Sequence, residues 1–199
     1  EYEDASGGKS LFIDDPAGTC GDAPEKGNYE LRVSHTFEKD AEIYVWVRTR
    51  AGTSPYAFYS SINEGDYTRV NVSENGETFQ WVCLSKEMVE AGDTLTVDLY
   101  HRNNHVRFDK IILTDDSTFT PVGKDDVPNQ GSGGENGGET GDETGGGSSE
   151  GNDESSHINV QIECEDLIDV EGAVADYATV QEYEDASGGK SLFIDDPAG

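Results

Sequence analysis

Basic residues are scarce in this chain. Thirteen Lys and Arg stand against 42 Asp and Glu, so the formal net charge is −29 over 199 residues. Such a surface repels phosphate backbones and anionic headgroups, which argues against nucleic acid or an anionic membrane as partner. It also weighs against heavily sulfated or uronate-rich polymers unless a local basic patch overrides the field. Methionine occurs once, and no long Ala/Leu/Glu/Lys tract is present, which favours β structure. No apolar run approaches the roughly 18 residues that cross a bilayer. The three cysteines, Cys20, Cys83 and Cys164, have neither CxxC spacing nor paired histidines, which disfavours a zinc site. A Cys20–Cys83 disulfide stays open for an exported protein, while Cys164 reads as a small buried residue in a strand pattern. Phosphate loops, dinucleotide glycine patterns, nucleophile elbows and HExxH helices are absent, and the serines and histidines show no triad spacing.

What is present is a repeat. Residues 1–18, EYEDASGGKSLFIDDPAG, return letter for letter as residues 182–199. The chain therefore reads as a window on a tandem array with a period of 181 residues. It opens inside one copy of a module and closes inside the next. Residues 1–119 form the body of a module that lacks its first strands. Residues 157–199 begin the next copy, and 157–181 are the front that the body is missing. They are expected to complete the sandwich of 1–119, within the chain or in a strand-swapped dimer. Two identical segments cannot fill one strand position, so one of them should be displaced.

Residues 120–156 separate the two parts. The run GSGGENGGETGDETGGGSSEGNDESS has no aromatic residue and cannot bury enough surface to offset its ordering entropy, so it reads as an acidic linker. Its 37 residues reach about 33 Å if flexible, enough for closure within one chain.

The flanking sequence alternates as strands do. Expected strands are 158–166, 177–181, 10–14 (repeated at 191–195), 29–35, 42–48, 56–62, 68–72, 78–84, 94–101 and 106–114. Leu95, Val97 and Leu99 share one face, and Thr96, Asp98 and Tyr100 the other. The one helical hint is a turn at 85–90. About ten short strands with glycine-marked turns predict an all-β sandwich.

Three constellations bear on chemistry. Glu163 and Glu165, at i and i+2 in a strand pattern, would point the same way. Carboxylates so placed suit a hard cation such as Ca²⁺, with Asp109 at the head of FDKIILT as the third. A solvated acidic strand is the plain alternative, and a general acid/base pair the sharper one, although no nucleophile or histidine partner accompanies it. Arg102, Asn103, Asn104 and His105 lie between two strands, so they form a loop rich in donors and acceptors; an Asn-rich hairpin turn is the structural alternative. Among the aromatics, Tyr56, Tyr59, Phe79 and Trp81 could stack on a sugar ring or pack in the core. Trp46 reads as structural, with Arg48 placed to stack on it.

In module order the chain shows E-x-E-D, then A-S-G-G-K, Y-V-W-V-R, F-Q-W, A-G-D-T-L and F-D-K-I-I-L. This series resembles the carbohydrate-binding modules of families 6 and 35, across 157–181 and 1–119. The resemblance implies a galactose-binding-domain-like jelly roll that is not itself an enzyme. It implies a module that binds a polysaccharide or oligosaccharide and targets a secreted, polysaccharide-degrading enzyme, with a covalently linked catalytic domain and sister modules in the parent chain. It further implies a structural Ca²⁺ held by Glu163, Glu165, Asp109 and a backbone carbonyl near Lys9. The sugar would stack on Phe79 or Trp81 and hydrogen-bond to Asn103, Asn104 and His105. Phe79 stands where the family often has Trp, and Cys164 where it often has Ala. A cell-surface adhesion or matrix-binding module on the same fold is the alternative function, and an enzyme using the three carboxylates is a third.

Overall fold

The computed structural model describes residues 10–13, 22–51, 56–72, 79–102, 106–124, 126–128, 157–174 and 179–181. Among them are ten strands: β1 Ser10–Ile13, β2 Leu31–Thr36, β3 Ala41–Ala51, β4 Ala57–Ile62, β5 Thr68–Asn71, β6 Gln80–Val89, β7 Thr94–His101, β8 Val106–Thr114, β9 Asn159–Glu163 and β10 Thr179–Gln181. One sheet runs β10-β1-β8-β3-β6, with β9 also on β8, and the other runs β2-β7-β4-β5. All pairings are antiparallel. The protein is an all-β, jelly-roll-class sandwich.

The core lies between the sheets. Leu31, Val33, Phe58, Leu95, Val97 and Leu99 meet Leu11, Val45, Val47, Phe108, Ile111 and Leu113 there. Phe58 and Phe108 join the sheets edge-to-face, with centroids 5.3 Å apart. The alternation seen in the sequence of β7 is largely the burial pattern observed, with Leu95, Val97 and Leu99 buried and Thr96 and Tyr100 only partly so, while Asp98 on the outer face is buried and ion-paired with Arg32. Burying such side chains stabilises by about 1.5–3 kcal/mol each.

Two local expectations are corrected. Residues 85–89 do not form a helical turn; they continue β6, paired with β3 as far as Ala41↔Val89. The register slips between Val45 and Trp46, opposite Ser85 and Cys83, and this bulge absorbs the break in alternation. Gly92, at φ 97°, then supplies the turn into β7. Second, the expected strand at 158–166 ends at Glu163, and Cys164–Asp169 form a 3-10 helix.

β8 organises the six-stranded sheet. On one side it pairs with β3 along its length. On the other, β1 takes Val106 to Phe108 and β9 takes Lys110 to Thr114. Asp109 stands where one partner gives way to the other. The pairing with β3 also slips there, from Arg48↔Lys110 to Thr49↔Phe108. As a result Phe108 and Ile111, three apart, both face the core, and Asp109 is the bulged residue between them.

Candidate functional site

The bulge collects charge. Arg48 Nη1 donates to Asp109 Oδ2 at 2.7 Å, and both side chains are buried. Lys110 Nζ lies 3.0 Å from Glu163 Oε1. Trp81, Arg48, Lys110 and Glu163 form one register row across β6, β3, β8 and β9. The neighbouring row, Val82, Val47, Ile111 and Ile162, belongs to the core or packs on it, so the charged row faces away from it.

Glu165 sits in the 3-10 helix, not on a strand with Glu163. Their proximity to Asp109 thus comes from the end of β9 and the turn after it, rather than from strand alternation. The helix packs on β1 and β8. Burial, then the charges of Glu163, Asp109 and Asp166, push the Glu165 carboxyl up to about 8. Burial and the charges of Asp109, Glu165 and Glu163 push the Cys164 thiol well above its usual range, so it stays a protonated core group.

Whether these residues suit a calcium ion rests on the oxygens they leave over. Glu165 Oε2 and Ser10 Oγ are buried without a hydrogen-bond partner. Ser10 lies one step beyond the Leu11↔Phe108 pair, beside Asp109. Carboxylate and hydroxyl oxygens are the donors a hard cation takes. As placed, Asp109 and Glu163 are engaged by Arg48 and Lys110, and among the described residues no three acidic, His or Cys side chains converge on one point. The donor set fits Ca²⁺ in kind, and an ion would compete with those two cations for its ligands. Lys9 lies outside the described residues.

The other expected site is at one end of the sandwich. Strand directions bring Ile13, Ala51, Ala57, Asn71, Gln80, His101, Val106 and Thr179 to that end. Tyr56, Phe79, Trp81 and Arg102 stand at or beside it, and Asn103, Asn104 and His105 lie outside the described residues. Tyr56 holds a φ of 29°, which a bulky side chain rarely adopts. Phe79 is buried, with the Arg48 guanidinium 5.0 Å from its ring centroid. Arg48 therefore stacks on Phe79, not on Trp46 as the sequence suggested. Trp81 is half-buried, and its Nε1 donates to Gly123 O at 2.8 Å. Its one donor is thus used, and the ring face is what it can offer. Tyr59 lies in the four-stranded sheet, paired with Tyr100 and Arg69, one row in from the Phe58↔His101 pair.

Sequence reasoning missed the buried pair at the end of β7. His101 N donates to Glu30 Oε2 at 2.6 Å, His101 Nδ1 bonds Glu30 Oε1, and both residues are buried. The available signal was an acidic residue directly ahead of the apolar strand Leu31–Val33. Also missed was the path after Phe119. Pro121 and Pro128 are buried, and Asn159 Nδ2 lies 3.4 Å from Pro128 O. With the Trp81–Gly123 bond, this segment lies against the six-stranded sheet. Cys83 is exposed with a free thiol, and Cys20 lies outside the described residues.

The fold and these two places define a two-sheet β-sandwich with a charged bulge and an aromatic loop end. The chain matches no family model and no curated protein. Among solved structures it is similar to a Podospora anserina GH26-CBM35 β-(1,4)-mannanase, at 18% identity and a TM-score of 0.38, over 61% of this chain and 28% of that one. It is also similar to a ruminal GH26 endo-β-1,4-mannanase, at 18% identity and a TM-score of 0.35, over 55% of this chain and 26% of that one. The chain thus spans about a quarter of the length of these neighbours.

Proposed function

We propose that this chain is a carbohydrate-binding module without catalytic activity of its own, carried by an exported, polysaccharide-degrading protein. The observation that carries the reading is the position of Tyr56, Phe79, Trp81 and Arg102 at or beside the same end of the sandwich. A ring face stacks on the apolar side of a pyranose, and the loop's amides and guanidinium bond its hydroxyls. The buried Glu30–His101 pair fixes the end of β7, beside the aromatic side chains. The net charge of −29 favours a neutral glycan over a polyanion. Tandem copies on acidic linkers would add avidity.

The reading includes a structural calcium on Glu163, Glu165 and Asp109, with Ser10 and the chain near Lys9 alongside. When bound, the ion supplies positive charge among three carboxylates that otherwise repel. It also reads 157–181 as the strands that complete the body 1–119. The pairing of β9 with β8 and of β10 with β1 supports this. A glycan array probed with the chain, with and without chelator, tests the function. Binding to neutral oligosaccharides is the expected result, and an array blank under both conditions sinks it.

A further inference from the structure

Trp81 lies on β6, the last strand along its sheet, so among the described strands it has a cross-strand neighbour, Arg48, on one side only. Its indole is tied instead to the chain beyond Phe119. There Val122 N and Gly123 N both donate to Asp126 Oδ2, the second at 2.7 Å. These bonds hold the Asp126 carboxyl below its usual range, so it is ionised at neutral pH and accepts them strongly. A Cβ on Gly123 would stand 3.2 Å from Asp126 Oδ1, so the carboxylate is seated directly against this glycine. With its N–H held by Asp126, Gly123 offers its carbonyl to Trp81 Nε1 at 2.8 Å. Buried Pro121 and Pro128 anchor the segment on either side of the turn. An indole fixed beforehand loses less freedom when a ligand stacks on it.

We propose that Asp126 is a positioning residue for Trp81: by gathering the amides of Val122 and Gly123 it sets Gly123 O, and through that carbonyl the orientation of the indole. The consequence for glycan binding rests on the reading of Trp81 as a stacking ring, whereas the hold on the ring does not.

Asp126→Ala and Asp126→Asn in the full chain test it by NMR of the indole N–H groups. The chain has two tryptophans, and the Trp81 signal is the one lost in Trp81→Phe. Asp126→Ala should move that signal upfield and speed its exchange with water. Asp126→Asn, whose amide oxygen can accept both backbone bonds, should keep it near the parent position. The Trp46 signal should stay in place in both variants, which a general loosening of the fold would not allow. Affinity for soluble galactomannan and xyloglucan, two neutral probes, should fall about threefold or more in Asp126→Ala for whichever the parent binds. An unmoved Trp81 signal in Asp126→Ala overturns the proposal, as does Asp126→Asn shifting it as far as alanine does. A moved signal with unchanged affinity overturns the step from ring to ligand. If the parent binds neither probe, the stacking role of Trp81 loses its support, and the indole signal still decides whether Asp126 holds the ring.

Discussion

Arg48 and Asp109 form a buried ion pair, Nη1 to Oδ2 at 2.7 Å, at the residue where β8 changes partner from β1 to β9. The bulge turns Asp109 out of the strand's alternation, and the guanidinium, held over Phe79, meets it. Charge at this depth is tolerated because it is paired.

Removing one partner strands the other. Arg48→Met should lower stability by about 3–5 kcal/mol, read by urea unfolding. Replacing both, as Arg48→Met with Asp109→Leu, should recover much of that loss. A single variant as stable as the parent would show that the pair is not what neutralises Asp109.

Calcium should act at the same place. Adding millimolar Ca²⁺ to chelator-treated protein should raise the unfolding midpoint by about 5 °C. Glu165→Gln, which keeps the shape of the 3-10 helix but removes the carboxylate a bound cation would hold ionised, should abolish most of that increment. An equal shift in the variant would move the ion elsewhere.

Another carboxylate adds to the acid dependence. Thr118 donates to Asp116 Oδ1 through Oγ1 at 2.6 Å and through N at 2.9 Å. These bonds hold the Asp116 carboxyl below its usual value. Its contribution to stability is therefore present above the ordinary carboxylate pKa and is lost as pH falls through the lowered one. Thr118→Val should cost about 1–2 kcal/mol at pH 7, and the difference between variant and parent should shrink as pH falls toward 2 in an acid titration.

Ligand contacts should be separable from stability. Trp81→Ala should weaken glycan binding about tenfold, the loss expected for a stacked ring, as measured by calorimetric titration. Glu30→Gln should also weaken it, through the loop that His101 begins, because it acts on positioning. Tyr59→Phe, in the four-stranded sheet, should leave affinity unchanged.

Much of the architecture was legible because strands write their period into sequence. The expected bounds of β7 and β8 are those observed, and the long pairing of β3 follows from Ile43, Val45 and Val47 alternating with polar neighbours. Residues 85–89 misled because Lys86, Glu87 and Met88 favour helix locally, while pairing with β3 decides their conformation. The carboxylate cluster was legible as a set, but its geometry was not. Nothing in the letters IECEDL says that the strand stops at Glu163 and a tight helix carries Glu165. Nor does FDK reveal that Asp109 sits on a bulge between two partner strands. The Glu30–His101 pair joins residues 71 apart, a separation that no local pattern encodes.

The central claim is that this sandwich holds a sugar and does not cut it. Native affinity electrophoresis of the full chain through gels containing a panel of soluble polysaccharides tests this most directly, with a reducing-end assay on the same pairs. The account predicts retardation by at least one neutral polysaccharide, lost in Trp81→Ala, with no new reducing ends. Unchanged mobility in every gel, or release of reducing ends from any polymer, would contradict it.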